Sequence, residues 1–149
     1  MVTESVALSA WPSFTWNGKL INKFLKTGAS GITTGGSGLV IGDATASQAH
    51  IYSTGGSLTT SFGAPGNDPG ELNTPFGVAT DDAGNFYVAD TGNNRVQMYD
   101  SAYDVINIIG SYGFVAGQMY NPKDMDVDAA GKVFVVDQYN NRMQIYEAP

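Results

Sequence analysis

The chain has 149 residues, with seven Lys and Arg against fourteen Asp and Glu, and a formal net charge of −7. So few cations cannot neutralise a row of phosphates, which argues against nucleic acid and anionic membrane surfaces as partners. Cysteine is absent, which removes disulfides and Cys-ligated metal sites. With 42% hydrophobic residues and 19 glycines, the composition favours one domain of short strands and tight turns.

Residues 1–17 precede the first predicted strand and are interpreted as an N-terminal arm. The arm has no basic start and no long apolar stretch, so we do not expect a signal peptide. No run of about 18 apolar residues occurs in the sequence, which predicts no membrane insertion. Trp11 and Trp16 lie in the aromatic sequence WPSFTW. This sequence predicts either packing on the folded domain or anchoring to a larger assembly, with the two tryptophans as candidate binding residues.

The rest of the chain contains a repeat of 47 residues. Residues 63–99 and 110–146 align without a gap, and 14 of the 37 aligned positions are identical. A weaker copy lies upstream, in which Asp43 stands 47 residues before Asp90. Its central turn is altered, and it lacks one residue before its second strand. Repetition at this length is typical of folds built from successive similar units.

Each unit is predicted to form four short strands. In the second unit they are FGVAT, NFYVAD, RVQMY and VINIIG, separated by DDAG, DTGNN and DSAYD. The separators are rich in Asp, Asn and Gly, the residues that tight turns prefer. A four-stranded antiparallel unit repeated every ~40–50 residues predicts an all-β fold, namely a β-propeller built of such blades.

The second unit reads FGxxGxxxGxxxxPxGVAxDxxGNxYVADxxNNRVQxY and resembles the NHL repeat. The third unit fits this pattern well and the first weakly, so the resemblance covers about residues 30–146. It implies a propeller of six blades, of which this chain holds three. Their expected limits are about 18–62, with a degenerate first repeat, then 63–109 and 110–149. An amidating lyase that resembles these propellers depends on several His ligands, which a chain with one His does not supply.

The third unit stops three residues after Tyr146, before a fourth strand can form. A spare strand is predicted at the other end, because Gly18–Phe24 has the spacing GxLxxxF that Gly56–Phe62 also has. Propellers commonly close when an N-terminal strand completes the last blade. We therefore expect a homodimer of two three-bladed chains, closed into six blades by exchange of N-terminal strands. The alternative is a half-ring that a different protein completes.

The turn between the second and third strands carries the polar sequences DTGNNR and DQYNNR. Their polar members are Asp90, Asn93, Asn94 and Arg95 in the second blade and Asp137, Asn140, Asn141 and Arg142 in the third. Because they recur at the same place, a structural role is favoured over a ligand or metal site. Asp and Asn are expected to bind amides of their own turn, and Arg to pair with a carboxylate of the next blade.

Asp126 is a weak candidate metal ligand in KDMDVD, the predicted inner strand of the third blade. In a closed ring two copies of Asp126 would face each other across the channel, and carboxylates of this kind hold Ca²⁺. Ala79 stands at the equivalent position, so a ring of carboxylates is not expected. His50, the only histidine, stands where Gln97 and Gln144 do and is interpreted as a framework residue. We expect no metal and no cofactor.

Tyr120 and Tyr139 lie in predicted loops or turns without repeat counterparts, which makes them candidate contact residues. Three classes of function remain. We favour a non-enzymatic structural or protein-interaction module, an accessory or decorating subunit of a larger assembly such as a virion or an extracellular structure. One alternative is a glycan- or ligand-binding propeller that uses the loop tyrosines. The other is a metal-assisted lyase or hydrolase with acidic channel ligands.

Overall fold

The computed structural model describes residues 26–36 and 38–147, and these residues form an all-β structure. Each of the three repeats folds into its own antiparallel sheet, which we call a blade. The arm of residues 1–17 with Trp11 and Trp16, the predicted strand Gly18–Phe24 and the start of the predicted first blade lie outside the described residues.

Blade 1 consists of β1 (Ala29–Gly35), β2 (Gly38–Asp43), β3 (Gln48–Ser53) and β4 (Leu58–Phe62), paired in that order. The segment that follows contains a short parallel pair, β5 (Ala64–Pro65) and β6 (Glu71–Leu72). Blade 2 consists of β7 (Val78–Thr80), β8 (Phe86–Asp90), β9 (Arg95–Tyr99) and β10 (Val105–Ile109). Blade 3 consists of β11 (Pro122–Val127), β12 (Lys132–Asp137) and β13 (Arg142–Glu147).

Blade 3 has three strands among the described residues, whereas blades 1 and 2 have four. The outer edge of β13 therefore has no strand beside it in this part of the chain. The helical elements described are two short 3₁₀ turns, at residues 91–93 and 138–140. No described helix is long and apolar enough to cross a membrane.

In blades 2 and 3, aspartates fix the tight turn between the first and second strands. The Asp81 Oδ1 atom accepts the backbone N–H groups of Ala83 and Asn85, each at 2.9 Å. The turn also needs a residue with positive φ, which Gly84 supplies at +86° without a steric cost. Asp128 makes the same bonds 47 residues later. The predicted Asp-, Asn- and Gly-rich separators are therefore turns held by their own side chains.

Two apolar cores lie between neighbouring blades rather than within one sheet. The core between blades 1 and 2 contains Val40, Ala49, Phe62, Leu72, Val78, Val88 and Tyr99. The core between blades 2 and 3 contains Ala79, Tyr87, Ala89, Val96, Met98, Ile109, Met119, Met125, Val133 and Val135. Each fully buried large apolar side chain contributes roughly 1.5–3 kcal/mol. The packing of one blade on the next is therefore what holds the arc of three blades together.

Candidate functional site

The turn motif of blade 2 is a closed polar network around Asp90, whose side chain is fully buried. Its carboxylate accepts hydrogen bonds from Arg95 Nε at 2.7 Å, Asn93 Nδ2 at 2.9 Å and Gln97 Nε2 at 3.0 Å. The backbone N–H of Asn73 donates a fourth bond at 2.7 Å. A buried carboxylate is tolerated when it is paired and hydrogen-bonded in this way. These contacts give the motif a structural role.

Arg95 pairs with the carboxylate of its own turn, five residues earlier. The prediction that this arginine reaches a carboxylate of the next blade is wrong. Its Nη2 atom instead donates to the carbonyl oxygens of Asp68 at 2.9 Å and Glu71 at 3.0 Å. Because one guanidinium offers donors in several directions, Arg95 ties the turn to the loop that precedes blade 2.

Blade 3 repeats this network around Asp137. Arg142 Nε lies 2.8 Å from Asp137 Oδ2, and Asn140 and Gln144 donate to the same oxygen at 2.8 and 3.0 Å. The backbone N–H of Tyr120 donates to the other oxygen at 2.7 Å. Burial alone would raise the pKa of Asp137, but these hydrogen bonds and the Arg142 charge outweigh it and hold the pKa below its ordinary value.

Blade 1 builds the same site from different residues. His50 Nε2 lies 3.2 Å from Asp43 Oδ2, in the place that Gln97 takes in blade 2. The cation is Lys26, which forms an ion pair with Asp43. His50 Nδ1 lies 2.7 Å from the hydroxyl of Ser61. These contacts agree with the interpretation of His50 as a framework residue, whereas sequence reasoning missed Lys26, which lies outside the aligned repeat.

Asn94 acts between blades rather than within its turn. Its Oδ1 atom accepts the backbone N–H of Asn121 in blade 3 at 2.8 Å. Ser47 stands at the same position in blade 1, and its hydroxyl accepts the N–H of Thr74 at 3.2 Å. Asn141, the third member of the series, is exposed, and no hydrogen bond joins its side chain to any residue that the structure describes. One inter-blade acceptor is therefore left over at the end of the arc.

The side of blade 3 that faces away from blade 2 is apolar, and we call it the open face. Its exposed apolar residues are Val136, Met143 and Ile145, with 44%, 65% and 61% of their surface accessible. Their counterparts in blade 2, 47 residues earlier, are Ala89, Val96 and Met98, with 0%, 0% and 7% accessible. Blade 3 covers those counterparts, so the open face consists of residues that form core at the preceding junction.

The opposite end of the arc presents an exposed apolar residue as well. Ile32 in β1 is paired with Ile41, as Val78 is with Val88 and Met125 with Val135. Ile32 is 64% accessible, whereas Val78 and Met125 are 5% and 7% accessible because the preceding blade covers them. We call this side of blade 1 the leading face.

Four aromatic rings meet in the loops of blade 3, and we call them the aromatic cluster: Tyr112, Phe114, Tyr120 and Tyr139. The ring centroids of Tyr120 and Tyr139 lie 4.9 Å apart, with Tyr112 5.3 Å and Phe114 5.9 Å from Tyr120. All are near-perpendicular pairs, a favourable geometry for aromatic rings. Tyr112, Phe114 and Tyr139 are more than half exposed. The structure thus brings the two predicted contact tyrosines together and adds two rings.

Sequence reasoning missed Tyr112 and Phe114 because they lie in the loop that carries the repeated glycines. Their counterparts in the second repeat are Pro65 and Asn67, which are not aromatic. Of these two loops, only the one before blade 3 carries aromatic residues at these positions. A residue-by-residue comparison of the two loops could therefore have identified Tyr112 and Phe114 as candidate contact residues.

Asp126 lies exposed on β11, where its Oδ1 atom accepts the N–H of Val127 at 2.9 Å. Among residues 26–36 and 38–147, no group of three or more His, Asp and Glu is placed to hold a metal ion. The channel site imagined for two copies of Asp126 stays a prediction about an assembly.

Residues 72–99, from the end of the loop to the last residue of β9, match the sequence model of the NHL repeat. The chain contains an NHL repeat. The match includes the turn motif around Asp90 and the two strands that flank it. No curated protein matches the sequence.

Several solved structures are similar in fold to this chain. One is a Bacteroides thetaiotaomicron protein of unknown function, which matches at 17% identity with a TM-score of 0.61. This match covers 74% of the present chain and 32% of the Bacteroides chain. A streptogramin B lyase matches at 12% identity with a TM-score of 0.57, and this match covers 79% of the present chain and 40% of the lyase chain. Virginiamycin B lyase from Staphylococcus aureus matches at 15% identity with a TM-score of 0.56, and this match covers 83% of the present chain and 42% of the lyase chain. The chain thus matches less than half of the length of each of these propeller proteins, and its all-β blades are consistent with part of a propeller.

Proposed function

We propose that the protein is a non-enzymatic module for protein–protein interaction, in which two three-bladed chains form one six-bladed NHL propeller. The observation that carries this proposal is the open face of blade 3. The same repeat positions are apolar in all three blades, and the next blade covers them in two cases. An exposed apolar face of this kind marks a surface that binds another protein.

The proposal includes the exchange of N-terminal strands. Residues 18–24 of one chain would lie beside β13 of the other and form the fourth strand of its blade 3. The spacing of Gly18, Leu20 and Phe24, which matches that of β4 and the residues before it, supports this assignment. So does the outer edge of β13, because unpaired N–H and C=O groups on an edge strand are a template for a further strand.

A structural role for the polar residues favours interaction over catalysis. Asp43, Asp90 and Asp137 each bind donors of their own turn, and the one histidine bridges Asp43 and Ser61. Carboxylates held in this way are not free to act as acid, base or metal ligand toward a substrate. The lyase activity named for two structural neighbours is therefore not part of the proposal.

Within a larger assembly, such as a virion or an extracellular structure, the module would serve as an accessory or decorating subunit. The aromatic cluster is the surface that we assign to outward contacts, because exposed Tyr and Phe are enriched where proteins bind one another. Trp11 and Trp16 of the arm are assigned a role in attachment. Recovery of the native protein in a complex from which Tyr139→Ala and Trp11→Ala variants are absent would support these assignments.

Strand exchange is tested by deletion of residues 1–24. We expect the full chain to have twice the 15.7 kDa mass of one chain and the shortened chain to have the mass of one. Circular dichroism of the shortened chain controls for loss of the blades themselves. A folded, shortened chain that still forms dimers would remove strand exchange from the proposal.

A second candidate function is glycan binding, and the aromatic cluster favours it. Exposed rings next to hydroxyl and amide groups provide a platform on which a ligand ring can stack while polar atoms orient it. A glycan array probed with the wild-type chain tests this function. Binding that Tyr120→Ala and Tyr139→Ala abolish, and that the control Leu58→Ala on exposed β4 retains, would establish it.

A further inference from the structure

We propose that the open face of blade 3 binds the leading face of blade 1 in a second copy of this chain, and that Asp124 weakens this junction relative to the internal ones. This inference rests on the two-chain ring proposed above and specifies its contacts. Three observations carry it: complementary faces at the two ends, an unused hydrogen-bond acceptor, and one departure from the glycines of the internal junctions.

The two ends of the arc carry the two halves of one junction. At the internal junctions the residues equivalent to Ile32, which are Val78 and Met125, cover the apolar side of the preceding blade. Ile32 has no preceding blade to cover among residues 26–36 and 38–147, and 64% of its surface is accessible. A half-turn that sets the leading face of one chain on the open face of the other creates two identical junctions and closes the assembly. This symmetry identifies the occupant as a second copy.

The left-over acceptor has a donor on the leading face. Ala29 is paired with Asp43 as Pro122 is with Asp137, which makes Gly28 the counterpart of Asn121. Both residues have positive φ, +82° for Gly28 and +59° for Asn121. The N–H of Asn121 is the group that Asn94 binds, so the N–H of Gly28 in the second copy is the expected donor to Asn141 Oδ1.

The inner strands of the internal junctions approach so closely that only glycine fits. A Cβ atom at Gly31 would lie 2.3 Å from the carbonyl oxygen of Phe76, and one at Gly77 would lie 2.7 Å from the Cα of Asp124. Gly77 stands 47 residues before Asp124, which is the equivalent residue of the open face. Asp124 brings a Cβ to the place where its predecessors have none, while its Oδ1 atom lies beside Gly77 and accepts the N–H of Met125 at 3.0 Å.

Two consequences follow for the junction between chains. Its inner strands stand further apart than those within a chain, and its contact rests on the outer apolar residues such as Met143 and Ile145. Replacing Asp124 by glycine removes the obstruction and one negative charge from a chain of net charge −7. Asp124→Gly is therefore a substitution that should strengthen the dimer.

Sedimentation velocity over a dilution series measures the dimer dissociation constant of each variant. We expect Met143→Asp and Ile32→Asp each to raise it by at least about 100-fold, since every dimer contains the substitution at both junctions. Asp124→Gly should lower it by about 10-fold or more. The control Ile106→Asp alters an exposed apolar residue of β10, outside both faces, and should leave it unchanged. Circular dichroism shows whether each variant is folded.

Refolding Met143→Asp and Ile32→Asp chains together tests the pairing of the two faces. A mixed dimer has one unaltered junction, so the mixture should form more dimer than either variant alone. If Met143→Asp disrupts the dimer and Ile32→Asp does not, two open faces pair with each other and the inference is wrong. A dimer that neither substitution affects overturns it as well, while the two-chain assembly stands. A wild-type chain that is monomeric at every concentration refutes the assembly itself.

Discussion

The side-chain oxygen of Asn94 lies 2.8 Å from the backbone nitrogen of Asn121, and this hydrogen bond joins the turn of blade 2 to the inner strand of blade 3. Asn94 has a φ of +56°, a left-handed conformation that asparagine tolerates better than most residues. One residue thus ends a turn and fixes the position of the next blade. Asn141, in the second copy of the tripeptide NNR, has the same left-handed conformation, with a φ of +51°.

Replacing Asn94 by alanine should lower the free energy of unfolding by about 1–3 kcal/mol, since it removes the inter-blade acceptor and places alanine in a left-handed conformation. Urea denaturation followed by circular dichroism measures the change. Asn94→Asp keeps an acceptor oxygen and is the matched control, with a smaller expected loss. Equal losses for the two variants would show that the hydrogen bond contributes little.

Asp90→Ala should lower the free energy of unfolding far more than a substitution that removes an exposed carboxylate does. Arg95 would keep its charge beside a cavity, and the Asn73, Asn93 and Gln97 donors would lose their acceptor. Breaking a buried pair on one side costs about 3–5 kcal/mol. Asp82→Asn, which changes an exposed carboxylate, should stay within about 0.5 kcal/mol of wild type. Thermal unfolding of the two variants beside the wild type measures the contrast.

Stability should fall as the solution is acidified. Burial raises the pKa of Asp43, Asp81 and Asp137, but hydrogen bonds to each carboxylate, with the neighbouring cation at Asp43 and Asp137, outweigh burial and hold each pKa below 3.8. An unfolded-state pKa of about 3.9 then means that the native state gains stability above that pH. This gain is lost as the pH drops from about 5 through the lowered native values.

Thermal unfolding between pH 7 and pH 2.5 measures this dependence. Asp81→Asn cannot titrate, so this variant should be less stable at pH 7 and should lose less stability on acidification. Its amide also changes the bonds to Ala83, Asn85 and Tyr87, which is why the slope with pH and not the absolute stability is the quantity compared. Parallel curves for variant and wild type would contradict the lowered pKa of Asp81.

Gly77→Ala should destabilise the junction between blades 2 and 3. The added Cβ would lie 2.7 Å from the Cα of Asp124, and overpacking of this kind costs about 1–3 kcal/mol. Gly55→Ala is the matched control, because a Cβ there meets Ser53 Oγ at an ordinary distance of 3.6 Å. Chemical denaturation distinguishes the two variants. A Gly77→Ala chain as stable as Gly55→Ala would mean that the inner strands can separate at no cost.

The repeat predicted the elements of the fold well because its physical causes are local. Four strands per unit follow from turn residues at fixed spacing, and the structure has them in blades 1 and 2. The burial of Tyr99 at a repeat position follows from the same periodicity. Blade 3 has three strands among the described residues.

Partners of charged side chains were harder to predict. Periodicity places Arg95 on a face but does not say which acceptor its long side chain reaches, and the predicted partner was wrong because Arg95 pairs with Asp90 of its own turn. Lys26 has no repeat counterpart in the aligned units, so no spacing linked it to Asp43. The aromatic cluster forms from residues distant in sequence, since the rings of Tyr112 and Tyr139 both pack against Tyr120 only after the chain has folded.

Native mass spectrometry of the purified 149-residue chain measures whether two chains of three blades make one ring, as we propose. We expect a dominant species of twice the 15.7 kDa mass of one chain. A dominant species with the mass of a single chain, at protein concentrations well above those of dilute assays, would contradict it.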